Sequence, residues 1–479
     1  MKRIIQILLL ISFVFLLSFC RKEKLLTDNT AKLNFSVDTV MFDTVFTNIG
    51  STTNRLKVYN PYKQAINISS ITLAKGSSSN FRLNINGIAS YKASDIEIPA
   101  KDSIFIFVEV TVNPHNLDNP FVIQDSIVFS INGNVQDVDL VAWGQDAHYI
   151  NGEVISGGTW VNDRPYLVYN SMALDSGETL TIQEGVQIYF HRNSRFYVYP
   201  TANLIVNGTK DDPVVFQGDR LESMYDDIPG QWVGIWLWGN GSTHTINHAV
   251  IKNAIIGIEI DTLNDYTNPS LTLTNTIIQN MNAVGLYALG SNVLATNCVF
   301  ANCGQYAVGF AIGGTYEMYH CTIGNYWTYS TRTNGSLLLN NYYKDINGVY
   351  QVRPLENANF GNCIIYGNKE NEIDLDMFPE HDNEFNYNFD HCLLKVNEDV
   401  NTSDATHFNS VYINLSPEFI DSSENDYQLN VSSNAKDKGD INIINDVNSQ
   451  YPDVHIYNDL NEESRTINIP DLGAYEFVE

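Results

Sequence analysis

The chain has 479 residues, of which 27 are Lys or Arg and 55 are Asp or Glu, so its formal charge is −28. This excess of acid argues against nucleic-acid binding, which needs a basic face. Only 17% of the residues are charged and 12% are aromatic. Tyr, Asn, Ile and Val are abundant and helical periodicity is scarce, so we predict an all-β chain, long enough for more than one domain.

The first twenty residues have the layout of a targeting segment. Lys2 and Arg3 precede an apolar run over residues 4–19, which is too short for a comfortable membrane span. The run ends at Phe19-Cys20 and resembles a bacterial lipoprotein signal, although Phe19 stands where that pattern prefers a small residue. The resemblance implies a signal peptide over residues 1–20, a lipid on Cys20, and anchoring in the bacterial cell envelope at the outer membrane. No signal separates the periplasmic from the surface face, and an uncleaved anchor is the alternative.

Residues 21–32 are polar and are predicted to be a tether, and residues 33–148 to form a β-sandwich. About seven short strands separated by turn signals recur there, a spacing typical of immunoglobulin-like sandwiches. With Asn60 after an early strand and Pro99 and Asp102 before a long one, the stretch resembles the Hydin-type immunoglobulin-like domains. That resemblance implies a spacer or a binding module.

Residues 149–479 are predicted to form a parallel β-helix. Residues 180–190 fit one turn, with a corner at Glu184-Gly185, and a short phrase then recurs at 247–253, 275–280, 297–302, 320–325, 362–368 and 391–394. Its small residue sits at 249, 276, 298, 321, 363 and 392, so the steps are 27, 22, 23, 42 and 29 residues. Self-similarity at such a period indicates a solenoid or array.

A second phrase, built on Gly and an alternating strand, follows the first; it stands at 232–237, 257–260, 285–288 and 309–312. Strand alternation turns the small residue of the first phrase inward, and the Asn that ends the phrase is suited to a corner. Two short strands per turn, stacked about 4.8 Å apart, give a parallel β-helix. From Trp232 onward the chain resembles the right-handed parallel β-helix (pectate-lyase-like) superfamily, a likeness that identifies a fold better than an activity.

Four cysteines occupy equivalent positions in this pattern, namely Cys298, Cys321, Cys363 and Cys392. We predict that they stack as a ladder in the core, either as buried small hydrophobes or as disulfides between neighbouring turns. Stacked parallel side chains make the disulfide geometry awkward. Cys303 is the fifth cysteine of this body, so at least one thiol stays unpaired, and none has the spacing of a zinc site.

Three further segments interrupt or follow the repeats. Residues 326–361, rich in Tyr and Asn, and the acidic residues 369–390 are predicted to be inserted loops, where binding residues tend to lie. Residues 412–479 resemble the closing segment of secreted β-helix proteins, through Ser416-Pro-Glu-Phe419 and Pro470-Asp-Leu-Gly-Ala-Tyr-Glu476. This implies that Arg465 ties carboxylates together and closes the last turn. The alternative is a functional site made by Asp437, Asp459, Arg465, Asp471 and Glu476.

Two enzyme classes of this fold find little support in the pattern. A polysaccharide lyase needs a base, Lys or Arg in many families, and a group or Ca²⁺ to neutralise a uronate. Between residues 221 and 343 the only basic residues are Lys252 and Arg332. A glycosidase of the polygalacturonase type would show clustered Asp residues and a Gly-His-Gly phrase. Here Asp211-Asp212 and Asp226-Asp227 fall in predicted loops, and the phrase is absent.

The most specific candidate site is an outward column of side chains, Trp236, Trp238, Glu259, Asp261 and Tyr287. Alternation places them outward because Ile235, Ile258 and Leu286 point inward. Glu259 and Asp261 are then roughly 7 Å apart along one strand, which is compatible with acid/base work on a glycosidic bond. The aromatic side chains offer a stacking surface for a sugar, and a plain solvated face is the alternative.

We therefore predict an immunoglobulin-like β-sandwich followed by a right-handed parallel β-helix, in a membrane-anchored extracytoplasmic protein. We expect it to be non-catalytic and to bind a glycan or an envelope partner through Trp236, Trp238 and Tyr287. A polysaccharide lyase or glycoside hydrolase using Glu259 and Asp261 is the first alternative, and a purely structural or adhesive protein is the second. No cofactor or metal site is predicted; the acidity leaves Ca²⁺ open, without a ligand pattern to support it.

Overall fold

The structure is a computed structural model that describes residues 24–114, 120–239, 241–261, 268–466 and 468–478. Cys20, the predicted lipidation site, lies outside the described residues, as does the rest of the signal segment. The chain divides into two compact units between Asp146 and Ala147. Among the residues that the structure describes, no helix is long and apolar enough to cross a membrane.

The first unit is a β-sandwich of two five-stranded sheets. Its strands are β1 (Asn34–Phe35), β2 (Thr39–Phe46), β3 (Asn54–Tyr59), β4 (Ile66–Leu73), β5 (Phe81–Ile85), β6 (Ile88–Ala89), β7 (Lys92–Ile98), β8 (Ser103–Val110), β9 (Phe121–Ile131) and β10 (Asn134–Gln145). The sheet orders are β1-β3-β8-β5-β6 and β2-β10-β9-β4-β7, antiparallel except for the parallel pair β2 and β10. Apolar side chains of both sheets, among them Leu56, Ile106 and Phe129, share one buried core. The Hydin-type identity of this unit stays a prediction.

The second unit is a coil of short strands. They are β11 (His148–Ile155), β12 (Gly158–Trp160), β13 (Tyr166–Leu174), β14 (Thr179–Gln183), β15 (Gln187–Phe190), β16 (Arg195–Val198), β17 (Asn203–Asn207), β18 (Val214–Gly218), β19 (Gly234–Trp238), β20 (His244–Asn247), β21 (Ala249–Lys252), β22 (Ile256–Asp261), β23 (Leu271–Thr274), β24 (Ile277–Met281), β25 (Val284–Thr296), β26 (Val299–Cys303), β27 (Val308–Tyr319), β28 (Thr322–Asn325), β29 (Leu337–Asn340), β30 (Tyr342–Lys344), β31 (Tyr350–Val352), β32 (Leu355–Gly361), β33 (Ile364–Gly367), β34 (Ile373–Asp376), β35 (Asn388–Asp390), β36 (Leu393–Leu394), β37 (Phe408–Asn409), β38 (Tyr412–Ile413), β39 (Phe419–Asp421) and β40 (Asp426–Leu429). One α-helix follows, α1 (Ile441–Gln450).

Parallel pairing sorts the coil strands from β14 onward into three columns, which we call faces A, B and C, and β11, β12 and β13 pair in front of them. Face A comprises β15, β18, β21, β24, β26, β28, β33, β36 and β38. Face B comprises β16, β19, β22, the first halves of β25 and β27, β29 and β34. Face C comprises β14, β17, β20, β23, the second halves of β25 and β27, β32, β35 and β37. Each strand pairs with its equivalent one turn along, so this unit is a parallel β-helix, as predicted.

Left-handed corners lie at the two ends of the recurring phrase. The Asn that ends the phrase adopts a left-handed conformation at Asn253, Asn280 and Asn302, with φ of 66°, 59° and 50°, as Asn tolerates. This confirms the predicted corner in three phrases, but the prediction is wrong at Asn325, which lies within β28, and at Asn368, which is not left-handed.

A second left-handed corner, which was not foreseen, lies just before the small residue of each phrase. It is occupied by His248, Asn275, Asn297, His320, Asn362 and His391, with φ between 47° and 54°.

The cysteine ladder lies between these corners and the strands of face A. Cys298, Cys321, Cys363 and Cys392 are fully buried and unpaired. The backbone N–H of Cys321 points at the sulfur of Cys363, and that of Cys363 at the sulfur of Cys392, each at 3.4 Å. The thiols therefore stack in register as small buried hydrophobes, which confirms the first interpretation.

The two predicted insertions are wrong in part. Residues 326–361 contain β29 and β32, which are regular strands of the coil, and residues 369–390 contain β34 and β35. What is inserted is the stretch before β29 and the antiparallel β30–β31 hairpin. These four strands were not predicted because none of them carries the Gly phrase of the earlier turns.

The C-terminal segment returns along the outside of the coil. Ile444 and Val447 of α1 pack with Leu294 of face C, and Tyr427 and Leu460 pack with Val299 of face A. These contacts are with central turns. The expectation that Arg465 closes the last turn is therefore corrected, because its guanidinium donates to Asn297, a corner of a central turn, at 2.8 Å.

Candidate functional site

The five predicted site residues lie together on the outward side of face B. Trp236 is in register with Glu259, and Glu259 with Tyr287, while Trp238 is in register with Asp261. Each is partly buried, whereas Ile235, Leu237, Ile258 and Ile260, which alternate with them, are fully buried. The alternation of a strand thus brings three successive turns to one surface.

The preceding turn adds three residues that were not predicted, Arg195, Tyr197 and Tyr199. Tyr197 is in register with Trp236, and their ring centroids are 5.6 Å apart. Tyr199 lies 5.4 Å from Trp238, and the two tryptophans lie 5.1 Å from each other. We call the eight residues the face-B site: Arg195, Tyr197, Tyr199, Trp236, Trp238, Glu259, Asp261 and Tyr287.

Arg195 is the cation of the face-B site. Its guanidinium lies 3.3 Å from the Glu259 carboxylate, with 16% and 18% of the two side chains exposed. On the way it passes 5.2 Å from the ring centre of Trp236 and 5.8 Å from that of Tyr197, a cation–π arrangement. Its own register partner is Gly234, a position where a Cβ would collide with the carbonyl oxygen of Ile256.

The two carboxyl groups are perturbed in the same direction. Burial raises the pKa of Glu259, and the charge of Asp261 adds to this, while Arg195 opposes it. Burial also raises the pKa of Asp261, against hydrogen bonds from Trp236 and Trp238 and the charge of Arg195. The Trp236 indole N–H donates to Asp261 at 2.8 Å. Burial, helped by the charge of Glu259, raises the pKa of Tyr287.

This arrangement favours recognition over chemistry. Glu259 is engaged by Arg195, and Asp261 by the indole N–H, so each carboxylate is held by its neighbours. The rings of Tyr197, Tyr199, Trp236 and Trp238 give the surface an apolar, polarisable character that suits the C–H faces of a sugar. Among the described residues, no three His, Cys, Asp or Glu side chains are grouped so that they could hold a metal ion.

The carboxylates gathered around Arg465 have a structural role. Asp459, Asp471 and Glu476 are buried and accept backbone N–H groups, from Glu476, Phe477 and Thr466 among others. Asp437 contributes its backbone N–H to Asp471. Arg465 also lies 3.6 Å from Glu476 and has 1% of its side chain exposed. The cluster therefore fastens the C-terminal segment to the coil and offers no open surface.

Three clefts lie elsewhere on the described part of the second unit. One, of about 640 Å³, runs between the outward side of face C at Thr245 and Thr272 and the loop at Pro452. Another, of about 370 Å³, is lined by Asp227, Asn302 and neighbouring side chains, and the third, of about 830 Å³, is lined by residues within 366–414, Lys395 among them. None of the three is lined by a residue of the face-B site.

Comparison with known proteins supports the fold of the second unit. A family model described as a pectate-lyase like beta helix domain matches residues 152–326. No curated protein matches the chain.

The solved structures that resemble parts of the chain include the following three. A protein of unknown function from Porphyromonas gingivalis is 13% identical over 26% of this chain and 60% of its own, with a TM-score of 0.18. The ASH/PapD-like domain of human CEP192 is 7% identical over 27% of this chain and 92% of its own, with a TM-score of 0.18. A family 123 glycoside hydrolase from Clostridium perfringens is 9% identical over 24% of this chain and 27% of its own, with a TM-score of 0.17. The chain thus spans 60% of the length of the first of these structures.

Proposed function

We propose that this protein binds a polysaccharide at the face-B site and does not cleave it. The observation that carries the proposal is the cluster of four outward aromatic rings, Tyr197, Tyr199, Trp236 and Trp238, whose centroids lie 5.1 to 5.6 Å from their neighbours. Large, rigid aromatic side chains supply contact area at low entropic cost. A β-helix holds them on hydrogen-bonded strands, so the surface is preorganised.

The path of the C-terminal segment supports a binding surface on face B, because its apolar contacts are with the other two faces. The C-terminal segment packs its apolar side chains against Leu294 of face C and against Val299 and Ile364 of face A. The outward aromatic rings of face B remain half-buried at the surface. A polymer lying across the turns would meet equivalent positions on successive strands, about 4.8 Å apart.

The proposal includes a place in the cell. The basic n-region, the apolar run and Cys20 support a lipid-anchored protein of the bacterial cell envelope, at the outer membrane. In such a protein the sandwich would act as a spacer or as a binding module. A protein anchored there could also bind another protein of the cell envelope instead of a polysaccharide.

A second candidate is a polysaccharide lyase or glycoside hydrolase of the same fold. It is favoured by the raised pKa values of Glu259 and Asp261, because a carboxyl group that keeps its proton can serve as a general acid. Their engagement by Arg195 and Trp236 argues for the binding role.

A glycan-array screen of residues 21–479, with and without Ca²⁺, tests the proposal. We expect a specific glycan that is retained without turnover, and loss of that signal in Trp236→Ala. Tyr457→Ala removes an aromatic side chain that is 52% exposed in the C-terminal segment and should leave the signal unchanged. Turnover of the bound glycan that is lost in Glu259→Gln would establish the enzyme instead, and a blank array with capture of an envelope protein would establish a scaffold.

A further inference from the structure

The outward positions of face B carry more negative than positive side chains. From β16 to β34, strands that the structure describes in full, the cation is Arg195, and the carboxylates are Glu259, Asp261, Asp374 and Asp376. Asp374 and Asp376 are in register with Leu338 and Asn340 of β29, so they continue the same surface beyond Tyr287. The surface is therefore acidic along its length, in a chain whose formal charge is −28.

The cation of this surface is already paired with a carboxylate, and the Nε atom of Arg195, which has no hydrogen-bond partner, is buried and so out of a ligand's reach. Arg195 is held by Glu259 at 3.3 Å and lies over the ring of Trp236. The indole N–H of Trp236 is directed at Asp261, and Trp238 also hydrogen-bonds that carboxylate. A ligand carboxylate would thus have to displace Glu259 or Asp261, and it would meet both as like charges in a partly desolvated place.

We infer that the face-B site takes neutral glycans and rejects uronates, an inference that rests on the proposed function. The stacking surface recognises the C–H faces of the sugar rings, which neutral and acidic sugars share. The carboxylates then discriminate by charge, through repulsion of the wrong ligand. A lyase acting on uronates would need the opposite, an uncommitted cation beside the sugar.

Matched pairs of polysaccharides test this directly. Each pair is a neutral polymer and the same polymer oxidised at C6 to the uronate, so the two members share linkage and length and differ in charge. Dissociation constants are measured for residues 21–479 at low and at moderate salt. For any pair that binds, we expect the neutral member to bind at least tenfold more tightly, and the difference to shrink as salt screens the charges.

Variants identify the source of the selectivity. Glu259→Gln combined with Asp261→Asn should bring the oxidised member within about threefold of the neutral one. Asp137→Asn, which removes an exposed charge from the sandwich, should leave the tenfold difference intact. An oxidised member that binds as tightly as its neutral partner, or more tightly, overturns the inference while leaving the proposed function standing. Failure of every pair to bind overturns the proposed function and the inference with it.

Discussion

Arg195 and Glu259 stand two turns apart on face B, and their side chains meet at 3.3 Å. The guanidinium crosses the ring of Trp236, the residue that occupies the turn between them. This contact joins three strands that hydrogen bonds already join through the backbone. It also fixes the plane of the central indole, on which the proposed stacking surface depends.

Replacing Arg195 with Met should cost about 1–2 kcal/mol of unfolding free energy, because it leaves Glu259 partly buried without its partner. Urea unfolding at pH 7 measures this. The surface pair Arg220 and Glu222, with side chains 37% and 30% exposed, supplies a control, and Arg220→Met should change stability by less than about 0.5 kcal/mol. Equal losses in the two variants would contradict a special role for the Arg195 contact.

The same variant should change the dependence of stability on pH. Burial raises the pKa of Glu259, so over a window above the ordinary carboxyl range the folded state holds a proton that the unfolded state has released. Stability therefore falls as pH rises through that window. Removing Arg195, which lowers this pKa, should widen the window and deepen the fall, and an unchanged pH profile would contradict the assignment.

Arg332 and Glu372 form the most buried ion pair of the coil, with 1% and 0% of their side chains exposed and a separation of 2.8 Å. The guanidinium is bidentate on the carboxylate, which also accepts the Ser336 hydroxyl. Arg332→Met would leave a buried carboxylate uncompensated, and we expect a loss of about 3–5 kcal/mol. Thermal unfolding followed by circular dichroism would show it. Adding Glu372→Met to Arg332→Met should restore part of the loss, and no recovery would argue against a penalty from the unpaired charge.

His244 should make the protein sensitive to mild acid. Its side chain is buried on face C, where the Nδ1 atom accepts the N–H of Leu204 at 3.2 Å and the Nε2 atom lies 3.5 Å from the Trp238 carbonyl oxygen. Burial lowers the pKa of His244 to about 4. The unfolded state therefore binds a proton between about pH 6.5 and 4 that the folded state refuses, and stability falls on acidification through that window by an amount on the order of 3 kcal/mol.

In His244→Gln the slope of unfolding free energy against pH should be shallower by about one proton across this window. His455→Gln, at an exposed position, is the matched control for the substitution itself. A slope that does not change in His244→Gln would show that the histidine is protonated in the folded state.

The cysteine ladder predicts unreactive thiols. All five cysteines of the coil are fully buried and closed to a reagent, and burial raises the pKa of Cys303 to about 12. Within the ladder, burial raises the pKa of Cys298 and Cys363, whereas hydrogen bonds with these two thiols lower the pKa of Cys321 against its burial. A thiol-specific reagent at pH 8 should therefore label none of the five body cysteines in the folded protein and all five after unfolding without reductant. Mass spectrometry that found a disulfide within this set would contradict the stacked thiols.

The coil could be predicted because its repeats follow a simple physical rule. A small residue followed by an alternating apolar residue recurs from turn to turn, and the Gly-containing strand that follows it in the early turns places Trp236, Glu259 and Tyr287 on one face before any coordinates are known. Strand alternation alone gave that column, since inward and outward positions are fixed by a period of two.

The missing part of the site lay one turn earlier, where the repeat is interrupted. Arg195 is in register with Gly234, a step of 39 residues, because residues 219–233 form a loop between β18 and β19. Residues 196–199 show the alternation of a strand, which is the pattern that could have identified Tyr197 as an outward residue. The loop before β19 breaks the repeat, so this strand could not be aligned with Trp236 from the sequence. The ion pair to Glu259 and the path of the C-terminal segment over faces A and C depend on contacts between residues far apart in the chain, which no local pattern encodes.

The proposed glycan site is tested most directly by the dissociation constant of the best array ligand for wild type, Trp238→Ala and Tyr457→Ala, measured by calorimetry on proteins with matched thermal stability. If the aromatic cluster of face B is the binding surface, Trp238→Ala should weaken binding at least tenfold, or about 1.4 kcal/mol, and Tyr457→Ala should bind like wild type. Wild-type affinity in Trp238→Ala would place the ligand elsewhere on the protein and contradict the account.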